Sequence, residues 1–169
     1  MDPASRASLS RAWRWFALAA AVVLADQATK TLVLGRFAPG ERLEITGFFN
    51  MVLVYNKGAA FSFLSDAQGW QTPLLIAFAV VAIGIVGTLL VRSPSRGLFC
   101  TGLALILGGA LGNLIDRLRF GQVVDFLDFH ALGWHWPAFN VADSAITVGA
   151  VLLILEGFVH HEGRARSTS

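Results

Sequence analysis

Apolar residues gather along this chain in four blocks long enough to cross a bilayer. A spanning helix needs about 20 predominantly apolar residues. Residues 73–91 and 97–115 meet that length without a single charge, and 138–155 carries only Asp143. The first block, 13–34, is interrupted in its second half by Asp26 and Lys30. Its opening run resembles the apolar core of a secretory signal, but no small-residue cleavage site precedes a polar mature chain and further apolar blocks follow. A retained helix is therefore expected. Between the first two blocks, residues 48–55 are rich in β-branched and aromatic side chains, followed by Asn56-Lys57-Gly58 and a second apolar run at 59–64. Strand, turn, strand is the expected reading, resting on the membrane surface or on the helix bundle. The tail at 161–169 is expected to be disordered, and no internal repeat breaks the chain into units. The pattern predicts a single domain over 1–169: an all-α membrane bundle of four transmembrane helices with a small extracytoplasmic β-strand subdomain.

Composition agrees: 55% of residues are hydrophobic and 14% charged, where soluble domains run near ~25% charged. Mean hydropathy is +0.62. Cationic residues near the helix ends set orientation. Arg6, Arg11 and Arg14 precede the first block, Arg92 and Arg96 bracket the short link between the second and third, and Arg164 and Arg166 lie in the tail. The loop at 35–72 spreads Arg36, Arg42 and Lys57 over a longer stretch and dilutes them with Glu41, Glu44 and Asp66. Both termini and the short link are thus expected in the cytoplasm, with 35–72 and 121–137 outside. The lone cysteine, Cys100, excludes an internal disulfide framework. The histidines (His130, His135, His160, His161) lie in a loop and the tail rather than on an apolar helix, so no metal is expected.

Ionisable groups at membrane depth are expensive and mark function by default. Asp26 and Lys30 are four apart on one helical face, which also suits a structural ion pair. Asn113, Asp116 and Arg117 cluster at the outer end of the third block and look better suited to holding a site than to performing chemistry. Asp143 follows Asn140 by three residues, the spacing of a helix-capping box. Asp125, in Val-Val-Asp-Phe-Leu-Asp-Phe, is either an interfacial loop charge or a group turned inward, and Asp128 is its equal on local pattern.

The short outer connection between the last two blocks brings Asp125 and Asp143 to similar depth. Two carboxylates sharing a water can divide acid and base roles, titrating as a unit once burial and like charge raise one of them. Other proteolytic chemistries lack their parts: there is no His-Glu-x-x-His, and no histidine at helix depth to serve a serine or Cys100.

Five blocks, in order, carry a resemblance: Asp26-Gln27-Ala28-Thr29-Lys30; Tyr55-Asn56-Lys57-Gly58-Ala59-Ala60-Phe61-Ser62; Gly108-Gly109-Ala110-Leu111-Gly112-Asn113-Leu114-Ile115-Asp116-Arg117; Val123-Val124-Asp125-Phe126; and Phe139-Asn140-Val141-Ala142-Asp143-Ser144. Together they resemble the lipoprotein signal peptidase (signal peptidase II) family of aspartyl peptidases, over nearly the whole chain. The resemblance implies Asp125 and Asp143 as the catalytic dyad and decides between Asp125 and Asp128. It further implies Asp26, Lys30, Asn56, Asn113, Arg117 and Asn140 as polar supports or substrate contacts, with Gly58 in a loop covering the site. The implied substrate is a prolipoprotein cut just before a diacylglyceryl-modified lipobox cysteine, in a bacterial cytoplasmic (inner) membrane. Neither cofactor nor metal is implied; lipid is the expected surrounding, nucleic acid is not a partner, and a monomer is expected. The competing readings are a small ion-coupled transporter or channel, which often shows inverted repeats, and a non-catalytic assembly subunit packing through Gly108, Gly109 and Gly112.

Overall fold

The computed structural model describes residues 3–58 and 70–166, with side chains at 12–58 and 70–159. Among these, four helices are long and apolar enough to cross a membrane. Helix α1 spans Pro3–Leu34, α2 Gln71–Arg92, α3 Gly97–Phe120 and α4 Val141–Arg166. Pro73 sits in the first turn of α2, where a missing N–H costs nothing. Ser93 and Pro94 then end that helix before the tight link to α3. Gly121, in the left-handed conformation at φ 72°, closes α3 by donating its N–H to the Arg117 carbonyl at 3.0 Å. Helix α4 begins later than the sequence suggests, because residues 138–140 are extended and Phe139 bridges to Leu127. It also runs on to Arg166, through part of the tail expected to be disordered; no proline interrupts that polar stretch.

Helix α3 is the hub, packing against the other three helices, and half of its apolar window is buried against 6% for α2. Glycines permit the close approaches. An added Cβ at Gly108 would lie 2.6 Å from the Ala19 carbonyl oxygen, and one at Gly112 2.5 Å from Asp26 Oδ2. Gly102 and Gly149 meet each other across α3 and α4. With no apolar driving force between helices in lipid, such small-residue contacts supply the packing.

Among the described residues, the segments between the helices form one antiparallel sheet of four strands paired in chain order. Its strands are β1 (Arg42–Thr46), β2 (Phe49–Asn56), β3 (Val123–Ala131) and β4 (Trp134–His135). Strand β2 falls where the aromatic and β-branched run predicts one, but its partners are β1 upstream and the distant β3. The strand expected at 59–64 lies outside the described residues. Residues 121–137, expected only as an outer connection, supply the most buried strand of the sheet. Val33 of α1 packs with Leu53, Val124 and Phe126 in a core that seats the sheet on the end of the bundle where α1 finishes.

Candidate active site

Lys30 anchors the site from within. Its ammonium, 2% exposed, lies 2.8 Å from Asp26 Oδ2 and 2.8 Å from Asp116 Oδ2. Two carboxylates around one ammonium leave a net negative charge, and hydrogen bonds disperse it. Asp26 Oδ1 accepts from the Ala142 N–H at 3.0 Å, at the start of α4, where a helix N-terminus favours an anion. Asp116 Oδ2 accepts from the Val124 N–H at 3.0 Å, and Gln27 Nε2 donates to Asp116 Oδ1 at 2.9 Å. One buried cluster therefore ties α1, α3, β3 and α4 together. A buried charge left without its partner is costly, so each member constrains the rest.

The aspartates hang from this cluster by two asparagines. Lys30 Nζ donates to Asn113 Oδ1 at 3.1 Å, and Asn113 Nδ2 donates to Asp143 Oδ1 at 2.8 Å. Asn140 Nδ2 donates to Asp125 Oδ1 at 2.7 Å and reaches Asn113 Oδ1 at 3.2 Å. The Asn140 carbonyl oxygen Oδ1 accepts from the Asp143 N–H at 2.9 Å, while Asp143 Oδ2 accepts from the Asn140 N–H at 3.3 Å. This reciprocal pair is the capping box expected from the spacing. Asp143 thus serves as a helix-capping residue while Oδ1 is held by Asn113.

From the sheet side, Asn56 Nδ2 donates to Asp125 Oδ2 at 2.9 Å and Asn56 Oδ1 accepts from the Gly58 N–H at 2.8 Å. Gly58 has φ 100°, a left-handed conformation that favours glycine, and a Cβ there would meet only the movable Leu75 Cδ1 of α2, at 2.8 Å. Arg117 donates to the Asn113 carbonyl at 3.4 Å, within electrostatic reach of Asp143, Asp125 and Asp116. Burial first, then the charge of Asp143, push the Asp125 carboxyl up to about 7, against the opposing hydrogen bonds of Asn56 and Asn140 and the charge of Lys30.

Asp128 has a different environment. Its carboxylate accepts from Asn50 at 2.9 Å, lies 2.8 Å from His135 Nδ1 and 3.6 Å from Arg42 Nε. Burial opposes ionisation, but those hydrogen bonds and the charges of His135 and Arg42 hold its carboxyl below the ordinary value. It clasps the four strands together, away from the asparagine bridge. Gln27 and Asn50 escape sequence reasoning as site and sheet supports. A glutamine inside an apolar span was the available signal for the first; nothing local marks the second.

The arrangement juxtaposes two carboxylates, one held by Asn113 and the other by Asn56 and Asn140, suited to sharing a water between acid and base roles. Asp143 also borders a cavity of about 380 Å³ lined by Trp136, Phe139, Ser144, Thr147 and Val148, open along the side of α4. Among the described residues no group of three or more His, Cys, Asp or Glu side chains is placed to hold a metal ion.

Residues 18–159 match the family model described as signal peptidase (SPase) II. The lipoprotein signal peptidase of Paraburkholderia phytofirmans is 60% identical over 142 residues, covering 84% of this chain and 83% of that protein. Its counterpart in Ralstonia nicotianae is 58% identical over 142 residues, covering 84% and 82%. Among solved structures, a bacterial membrane enzyme determined by the in meso method at 1.9 Å resolution superposes with a TM-score of 0.75, at 30% identity, over 85% of this chain and 91% of that one. A second, at 2.3 Å resolution, gives 0.78 at 28% identity over 89% and 90%.

Proposed function

The chain belongs to the signal peptidase II family, and from that premise we propose that it removes the signal peptides of diacylglyceryl-modified prolipoproteins by aspartyl chemistry at Asp125 and Asp143. Membership in a peptidase family sets aside the transporter, channel and assembly-subunit readings. The observation that carries the catalytic assignment is the asparagine bridge, in which Asn113 holds Asp143 and Asn140 holds Asp125.

In this mechanism Asp125, whose carboxyl is pushed up to about 7, carries the proton at rest. Asp143 takes a proton from a water lying between the two carboxylates. The water oxygen attacks the carbonyl carbon preceding the lipidated cysteine, and Asp125 donates its proton to the carbonyl oxygen. The tetrahedral diol then collapses: its hydroxyl proton returns to Asp125, the C–N bond breaks, and Asp143 passes its proton to the departing cysteine amine. Lys30 and Arg117 moderate the single negative charge that the pair carries throughout, and Asn56 and Asn140 orient Asp125.

A substrate whose cysteine bears two acyl chains cannot leave the bilayer cheaply, at about 0.8 kcal/mol per methylene. The lateral cavity beside Asp143 supports entry from the lipid side, and the apolar sheet supports extended pairing with the peptide. The chain acts as a monomer in the bacterial cytoplasmic membrane, with its site near the outer face. Asp125→Asn and Asp143→Asn, made singly and assayed on a lipidated precursor in detergent, are each expected to lose cleavage by at least about 10²-fold while folding and binding substrate. Normal turnover in either variant rules out the dyad.

A further inference from the structure

Strand β3 has a second face. Phe126 follows Asp125 and so points the other way, into a separate cavity of about 260 Å³ between the outer end of α1 and the sheet. Leu32 and Val33 form one wall, Leu43 and Met51 the other, and Phe126 lies between them. Leu32 is 56% exposed and Leu43 51%, so apolar walls stand open. Arg36 is, among the described residues, the sole charged group lining the cavity. Among the described residues it makes no ion pair. It lies two residues beyond Leu34, where the apolar span of α1 ends, which is the depth of lipid headgroups. Its volume of about 260 Å³ suits a segment of a single acyl chain.

We propose that this groove binds an anionic phospholipid, with its phosphate on Arg36 and one acyl chain against Leu43, Met51 and Phe126. A guanidinium at headgroup depth, unpaired among the described residues, selects negative charge, and the open apolar walls select a chain. The occupant is a resident lipid rather than the lipidated substrate, because a diacylglyceryl group offers no anion to Arg36. Bound there, it holds the sheet to α1 from the face opposite Asp125. The proposal stands independently of the peptidase assignment.

Native mass spectrometry of the full chain in detergent tests it, with dioleoyl phosphatidylglycerol, dioleoyl phosphatidylethanolamine and dioleoylglycerol each added in turn. Phosphatidylglycerol is expected to be retained about five-fold more tightly than phosphatidylethanolamine, the worth of one cation near an anionic lipid. Arg36→Gln should erase that preference, and dioleoylglycerol should bind equally weakly to both proteins. Leu43→Trp, which fills the groove from an exposed position, should lower phosphatidylglycerol retention while leaving Arg36 in place. Thermal unfolding should show phosphatidylglycerol protecting the natural chain and not the Arg36→Gln variant. The proposal is overturned if Arg36→Gln retains phosphatidylglycerol undiminished, if phosphatidylethanolamine or dioleoylglycerol binds as tightly, or if Leu43→Trp leaves retention unchanged.

Discussion

Asn140 performs two tasks with one amide: its oxygen caps α4 at the Asp143 N–H while its nitrogen holds Asp125 Oδ1. The tasks separate by substitution. Asn140→Ala should lose both, costing about 1 kcal/mol for the cap alone and abolishing cleavage. Asn140→Ser keeps a capping oxygen but withdraws the donor from Asp125, so most of the stability should return while cleavage stays low. Equal unfolding curves for the two variants in detergent would contradict this division. Asp125 also ties activity and stability to pH. Its folded value of about 7 stands above its ordinary 3.8, so the folded protein keeps a proton that the unfolded chain releases. Its contribution to stability therefore declines as pH rises from about 4 to 7 and is at its least favourable above that. Asp125→Asn should be the more thermostable protein at pH 8, by on the order of 2–4 kcal/mol, with the gap closing toward pH 4. Cleavage by the natural chain should fall on the alkaline side with a midpoint near 7, when the acid of the pair is lost.

At the level of elements, the site depends on how closely α3 approaches its neighbours. Gly112 faces Asp26 Oδ2, itself held by Lys30, so a methyl there has nowhere to displace its neighbour. Gly112→Ala is expected to destabilise by about 1–3 kcal/mol and to depress cleavage by disturbing the Lys30 cluster. Gly87→Ala on α2 has open space around its Cβ and should be neutral or stabilising by up to about 1 kcal/mol. Thermal unfolding of the two variants side by side distinguishes a packing constraint from a general intolerance of α-helical alanine. Strands show the opposite dependence. Strand β2 is legible from its own residues, but β1 is fully exposed and carries charges, and β3 contains two aspartates in its first six residues. Their strand character comes from partners, and β2 reaches across the chain to pair Val54 with Asp125.

For the whole molecule, charge asymmetry sets a direction that is open to test. Ser95 lies in the link between α2 and α3, and Leu132 at the fully exposed tip between β3 and β4. With Cys100 buried, Ser95→Cys should react with an impermeant thiol reagent only when the cytoplasmic face is opened, and Leu132→Cys from the outer face of intact cells. The reverse pattern would invert the topology argued from Arg92 and Arg96. The sequence alone determined the four apolar helices, because length and hydropathy are local sums that the bilayer reads directly. It also determined the Asn140–Asp143 capping box and the Asp26–Lys30 pair, since three- and four-residue spacings are fixed by the helix itself. By contrast, only the tertiary structure separated the surroundings of Asp125 from those of Asp128, which local spacing left equal. Asp125 meets Asn56 and Asn140, whereas Asp128 meets Asn50, His135 and Arg42. It likewise decided that Gln27 and Asp116 brace β3. The physical reason is the same in each case: a buried carboxylate takes its character from partners that folding brings in from distant parts of the chain.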